Sequence, residues 1–280
     1  MGMNLEDTAT ARINGTEKAA SDLSEQITGV IKDSKLKFEN SQFSQNYLKG
    51  KINQPQYKLL LGSYYKIYKA LEEELVKNAS QPGVDPIYFP KELARLESLE
   101  KDLEHFFGQD WRKKITTSAA TQRYEQRLRE VNITYLHTML LVAHAYTRYL
   151  GDLSGGQVLG KITQKSMGLT GKEGLSFFSF PGVTSPNRFK QLYRSRMNSI
   201  ELTEEEREAV LEEAVSEFEL NIQIFDDLQK MLSVTAEPVD QPKANIVNFP
   251  AAIFPSSPIM QFTMAICVAL ATVGMGIYAL

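Results

Sequence analysis

Cysteine is nearly absent. The 280-residue chain has one, Cys267, so no internal disulfide can form and no cysteine cluster can hold a metal. Histidine is scarce as well: His105, His137 and His144 are the three, and their spacing lacks the pattern of a zinc site. A net charge of −3 gives no basis for nucleic acid as a partner. The phosphate-cradling glycine loop, the His-Glu-x-x-His pair, the Cys-x-x-Cys pair and the Gly-x-Ser-x-Gly turn are all missing. Alternating Val/Ile-rich stretches are missing too, which removes the case for a β-sheet core and leaves an all-α protein. Charge itself runs out at the C-terminus, where no Asp, Glu, Lys or Arg follows Lys243.

What is present divides the chain into four parts. Residues 1–21 are polar and without periodicity, and are read as a disordered N-terminus with no apolar leader. Residues 22–233 read as one helical domain. Its first helix is expected to start at a Ser21 or Asp22 cap and to run on with Leu23, Ile27, Val30, Ile31 and Phe38 inward. Further helices are expected over 57–77, 91–107, 119–131, 137–165, 187–199 and 203–232, with a three-proline loop at 82–90. Residues 234–258 carry five prolines and read as a linker. Residues 259–280 are a 22-residue apolar run. As a helix it would be about 33 Å long at ~1.5 Å per residue, enough for a ~30 Å hydrocarbon core. A single span at this end implies a membrane tail anchor, with the main domain in the cytosol; a buried core helix is the alternative reading.

The densest signal lies in Gly151-Asp152-Leu153-Ser154-Gly155-Gly156, within Leu141–Ile162. Each glycine costs a helix roughly 1 kcal/mol against alanine, yet both flanks are helical in pattern. At ~100° per residue, Arg148, Asp152, Gly155 and Gly156 share a face. A carboxylate beside two residues without side chains leaves a flat slot. Two readings follow from spacing alone: a ligand site, or close helix packing with Arg148 and Asp152 as an i,i+4 ion pair.

The segment HAYTRYLGDLSGGQ resembles the distal helix of the vertebrate haem oxygenases. So do Tyr65–Glu74, Tyr88–Leu93, Phe189–Asn198 and Asn221–Phe225, and the resemblance runs from about Leu23 to Leu232, with the membrane tail beyond it. No Cys-Pro dipeptide occurs, so the inducible form is the nearer relative. The resemblance implies a multi-helical domain holding haem, both substrate and cofactor, between a proximal helix and a kinked distal helix. Gly151, Gly155 and Gly156 would bring the distal backbone onto the haem plane. Asp152 would hold a water network that protonates dioxygen, with Tyr68 and Arg148 behind it. Tyr146, Lys190 and Arg194 would meet the propionates; their alternatives are core packing for the tyrosines and a solvated basic face for Arg188, Lys190, Arg194 and Arg196.

The same resemblance aligns Lys35 with the family's iron-binding histidine, and Glu39 with the residue that orients it. Lysine must lose a proton before it can ligate, against a reference pKa near ~10.4, which costs roughly 4–5 kcal/mol at neutral pH. The alternative is a Lys35–Glu39 surface pair. Thr28 and Gly160 stand where lysines are usual, and Asn132–Met139 looks two residues longer than in relatives. Two functions follow from the resemblance. One is an endoplasmic-reticulum haem oxygenase yielding biliverdin, carbon monoxide and ferrous iron. Its dioxygen chemistry would draw electrons from NADPH through cytochrome P450 reductase, and biliverdin reductase is a further candidate partner. The other is an impaired, membrane-anchored haem-binding protein, because of Lys35.

Overall fold

The computed structural model describes residues 22–130 and 135–235, and among these every regular element is helical. In chain order they are α1 (Leu23–Val30), α2 (Lys32–Asn40), α3 (Gln42–Leu48), α4 (Gln54–Lys77), α5 (Pro90–Leu93), α6 (Leu96–Phe107), α7 (Trp111–Lys114), α8 (Ala119–Glu130), α9 (Tyr135–Ser166), α10 (Pro186–Asn198) and α11 (Glu204–Thr235). The N-terminal segment 1–21, most of the linker and the apolar run 259–280 lie outside the described residues. Among the described residues no helix is long and apolar enough to cross a membrane.

Local chemistry sets most boundaries. Asn53 and Gln56 form a reciprocal capping box, with Pro55 in the first turn, so α4 begins three residues earlier than its apolar pattern implies. Thr203 and Glu206 do the same for α11. The expected first helix is instead two: it breaks at Ile31, which stays buried while α2 turns onto α11 and α3. The nearest helix breaker is Gly29, two residues earlier in the last turn of α1, and the apolar pattern runs through both positions. The expected 91–107 helix is also two, because Ala94 is extended and α6 starts afresh at Leu96. The cause is distant in sequence. The Glu72 carboxylate on α4 accepts the Arg95 N–H at 2.6 Å and the Leu96 N–H at 3.3 Å, capping α6 from outside.

α9 is the centre of the molecule. It is buried on every side from Thr138 to Gly151, with Thr138, His144, Thr147 and Arg148 enclosed among its apolar residues. Packed against it are α11, α4, α10, α3 and the 3-10 turn Ser176–Phe178. α11 presents Val210, Ala214, Phe218 and Phe225 inward at helical spacing and also holds α1, α2 and α8. α2 thus stands on α11 and α3 rather than against α9. The gap so left, between the first helices and the glycine-rich part of α9, is where the site lies.

Candidate active site

A cleft of about 550 Å³, part of it open solvent, is lined by Phe38 of α2, Ser44 and Tyr47 of α3, Leu60 and Tyr64 of α4, Asp152, Gly156 and Leu159 of α9, Phe177 and Phe178 of the 3-10 turn, and Phe225 of α11. Its lining has the apolar character of a small-molecule or cofactor pocket, with a few polar groups aimed into it. Its one carboxylate is Asp152.

α9 stays helical through Gly151, Gly155, Gly156 and Gly160. The two readings of the glycines divide by position. Asp152 and Gly156 both line the cleft. A Cβ on Gly156 would also sit 3.4 Å from the Phe178 carbonyl, and one on Gly160 would press on the Phe178 ring at 3.3 Å. Part of the missing bulk therefore admits the 3-10 turn against α9, which is packing rather than ligand contact.

Asp152 is half-buried and accepts a short hydrogen bond from the Tyr68 hydroxyl. Burial pushes its carboxyl up to about 6, against the opposing pull of Tyr68, Arg148 and Arg95. Burial also raises the Tyr68 phenol, and the Asp152 charge adds to it, so Tyr68 remains the donor. Arg148 does not form the i,i+4 ion pair with Asp152. Only 2% exposed, it points across to α11 and α8, donating to Asn221 and to Tyr124 and lying 3.4 Å from Glu217. Its guanidinium faces the Tyr68 ring at 5.8 Å and the Tyr64 ring at 5.6 Å, so it reaches Asp152 through aromatic neighbours and its field.

The network continues past Arg148. Tyr124 donates to Glu217 at 3.1 Å and meets His144 Nδ1 at 3.1 Å. His144 Nε2 bonds Glu213 at 2.7 Å, and Arg127 grips the same carboxylate. Burial pushes the Glu213 carboxyl up, but His144 and Arg127 outweigh it and hold it at about 2. His144 is thus a buried structural residue with both ring nitrogens engaged, while His105 is exposed against Phe106. The side chain of His137 is outside the described residues.

At the α10 side, Lys190 and Arg194 are not a solvated face. Lys190 is 7% exposed and donates to Ser154 at 2.9 Å, and Arg194 Nε donates to the Tyr146 hydroxyl at 3.3 Å. Arg188 and Arg196 are exposed. Lys35 and Glu39 are brought together, 3.7 Å apart, with side chains 17% and 16% exposed. They are more enclosed than a surface pair, and burial raises the Glu39 carboxyl while the Lys35 ammonium opposes it. Among the described residues α2 sends Phe38, not Lys35, to the cleft wall. Tyr124 and Glu217 escaped the sequence reading, and Asn221 entered it only as part of a matching segment, without a role. Asn221 had a visible signal, a polar residue on the buried stripe of α11 between Phe218 and Phe225.

Fold and site together define a class: an all-helical enzyme whose central helix sets one carboxylate, backed by a buried charged network, at an apolar cleft. Comparison with known proteins makes the class specific. A family model described as heme oxygenase matches residues 21–227. The heme oxygenase of Takifugu rubripes is 56% identical over 264 residues, covering 92% of this chain and 95% of that one. Heme oxygenase 1 of Homo sapiens is 42% identical, covering 92% and 96%. Among solved structures, heme oxygenase-1 of the cyanobacterium Synechocystis, crystallised in complex with heme, aligns with a TM-score of 0.71 and 38% identity over 76% of this chain and 97% of its own. The chain belongs to the haem oxygenase family, oxidoreductases that degrade haem.

Proposed function

We propose that this chain binds haem between the α1–α2 segment and the Gly151–Gly156 stretch of α9, and opens it to biliverdin, carbon monoxide and ferrous iron. Dioxygen and reductase-supplied electrons are the co-reactants. The carrying observation is the Tyr68–Asp152 hydrogen bond at the cleft, backed by buried Arg148. When bound, haem supplies both the ring to be cleaved and the iron that activates dioxygen.

The chain's own residues fit that group by their chemistry. Lys190 and Arg194 are cations on the inner side of α10, beside the Ser154 and Tyr146 hydroxyls, and suit two carboxylates. The cleft is apolar apart from Asp152 and a few hydroxyls, as a flat macrocycle requires. Asp152, raised to about 6, can take up and release a proton near neutrality, and Tyr68 fixes its orientation. Electrons would come from NADPH through cytochrome P450 reductase, docking on exposed Arg188 and Arg196, with biliverdin reductase taking the product. The apolar run 259–280 would anchor the chain to the endoplasmic reticulum membrane, helical domain outward to the cytosol.

One observation favours a second reading. The Lys35 amine is engaged in an ion pair with Glu39 rather than directed at the cleft; a protein so built would hold haem but turn it over poorly. Haemin added to the purified protein, with the Soret band and biliverdin followed after reductase and NADPH, separates the two. Biliverdin supports the enzyme; a Soret band without biliverdin supports the impaired binder, and turnover restored by Lys35→His would locate the defect at that position.

A further inference from the structure

The 3-10 turn that walls the cleft is held by buried charge. Arg95, 3% exposed, donates from Nη1 to the carbonyls of Phe177, at 3.2 Å, and Ser179, and from Nε to Leu93. Its guanidinium lies 3.7 Å over the Phe180 ring. Asp102, with no exposure, accepts the Ser176 N–H at 2.7 Å on one oxygen and the Phe177 N–H at 2.8 Å on the other. Glu72 fixes Arg95 in turn by accepting its backbone N–H. Two charges are thus buried, at the cost that desolvation carries, to clamp a five-residue strap from both ends.

The strap itself bears on the site. Phe177 and Phe178 line the cleft with Asp152. The Phe177 ring packs on Tyr68 and Tyr64 with centroids 5.6 Å and 5.2 Å away, and Phe178 stacks on Tyr57. Gly174, two residues before the strap, has φ +78°, and a Cβ there would strike Phe106 at 2.6 Å. None of the clamp residues lines the cleft.

We infer that Arg95 and Asp102 are positioning residues: by clamping Ser176–Phe180 they fix the gap between the Phe177–Phe178 wall and Asp152, and so decide which of the ring's four bridging carbons is attacked. This rests on the function proposed above. A fixed Phe177–Phe178 wall would limit which edge of the bound ring can face Asp152, and a wall free to shift would remove that restriction.

The test compares wild type, Arg95→Gln, Arg95→Lys and Asp102→Asn, each loaded with haemin. Biliverdin isomers are separated by chromatography, and the C–O stretch is recorded on the reduced, carbon monoxide-bound protein. The account expects one dominant isomer and a narrow band for wild type. Arg95→Gln should give mixed isomers and a broadened or split band with the Soret maximum kept, and Arg95→Lys a partial return. A single isomer and an unchanged band in Arg95→Gln would overturn it. If Arg95→Gln does not fold, the same two readouts on Asp102→Asn, which preserves shape, decide. Absence of biliverdin from wild type would count against the proposed reaction alone, since the C–O band still tests the clamp.

Discussion

Replacing Asp152 by asparagine should make the protein more stable at alkaline pH. The carboxyl ordinarily titrates at 3.8 and is raised to about 6 in the fold. A raised carboxyl favours the folded state fully below its unfolded value, and that contribution is lost as pH rises through the folded one. Above about pH 6 the native protein carries the cost of an ionised, desolvated carboxylate. The displacement corresponds to ~3 kcal/mol at ~1.36 kcal/mol per pH unit. Asp152 is half-buried, and solvent in the cleft trims this to roughly 1–2 kcal/mol. The introduced amide can still accept from Tyr68, so the hydrogen bond survives. For a helical body of this size each kcal/mol moves Tm by ~2–4 °C. Thermal unfolding followed by circular dichroism should therefore show Asp152→Asn roughly 2–8 °C above wild type at pH 8, with the gap closing as pH falls toward 4. A variant less stable than wild type at pH 8, or a gap independent of pH, refutes the electrostatic reasoning. The stabilised variant should also lose biliverdin formation, because stability and function make opposite demands on this carboxylate.

Other consequences are as direct. Tyr68→Phe removes the hydrogen bond that lowers the Asp152 carboxyl, so the alkaline shift of its titration should appear as a displaced pH–rate profile under saturating haemin. Glu213, ordinarily at 4.5, is held at about 2 by His144 and Arg127. Its contribution is present above the ordinary value and lost as pH falls toward 2, so Glu213→Gln should cost ~3 kcal/mol near neutrality and flatten the acid limb of stability in urea titrations. Arg148→Met leaves Glu217 buried beside Asn221 and Tyr124 without its cation, and should cost about 3–5 kcal/mol in the same assay. A Cβ on Gly160 falls 3.1 Å from the Phe178 Cβ, so Gly160→Val should shift the C–O stretch of the carbon monoxide complex by moving the wall, while Gly29→Ala, facing open space, should not.

The sequence was informative where the physics is local. The Gly151–Gly156 cluster, the face shared by Arg148 and Asp152, and the apolar stripe of α11 all follow from helical spacing. Of the two candidate caps for the first helix, Asp22 does precede α1 but makes no side-chain cap hydrogen bond, while the true capping residue Asn53 of α4 lies outside the apolar pattern that begins at Tyr57. Where partners are remote, spacing carried little. Arg148 lies one turn from Asp152, yet its charge is claimed by Asn221 and Glu217, about 70 residues on. Glu72 stands in a run of three glutamates whose charge alone points to solvent, but it caps α6 and is raised to about 7 by burial. The break at Ala94 is imposed by that distant cap, and the break at Ile31 has only Gly29 nearby, which the apolar periodicity masks. From residue pattern alone Lys190 and Arg194 fit a solvated basic face, and α10 instead turns them toward Ser154 and Tyr146.

The central claim is that this chain cleaves haem through chemistry governed by Asp152. The most direct measurement is a single turnover: protein preloaded with equimolar haemin, given reductase, NADPH and dioxygen, with biliverdin quantified for wild type and Asp152→Ala. The account predicts biliverdin from wild type and its loss in the variant while the Soret band of bound haem persists. Equal biliverdin from both, or a wild-type Soret band that bleaches without biliverdin, would contradict it.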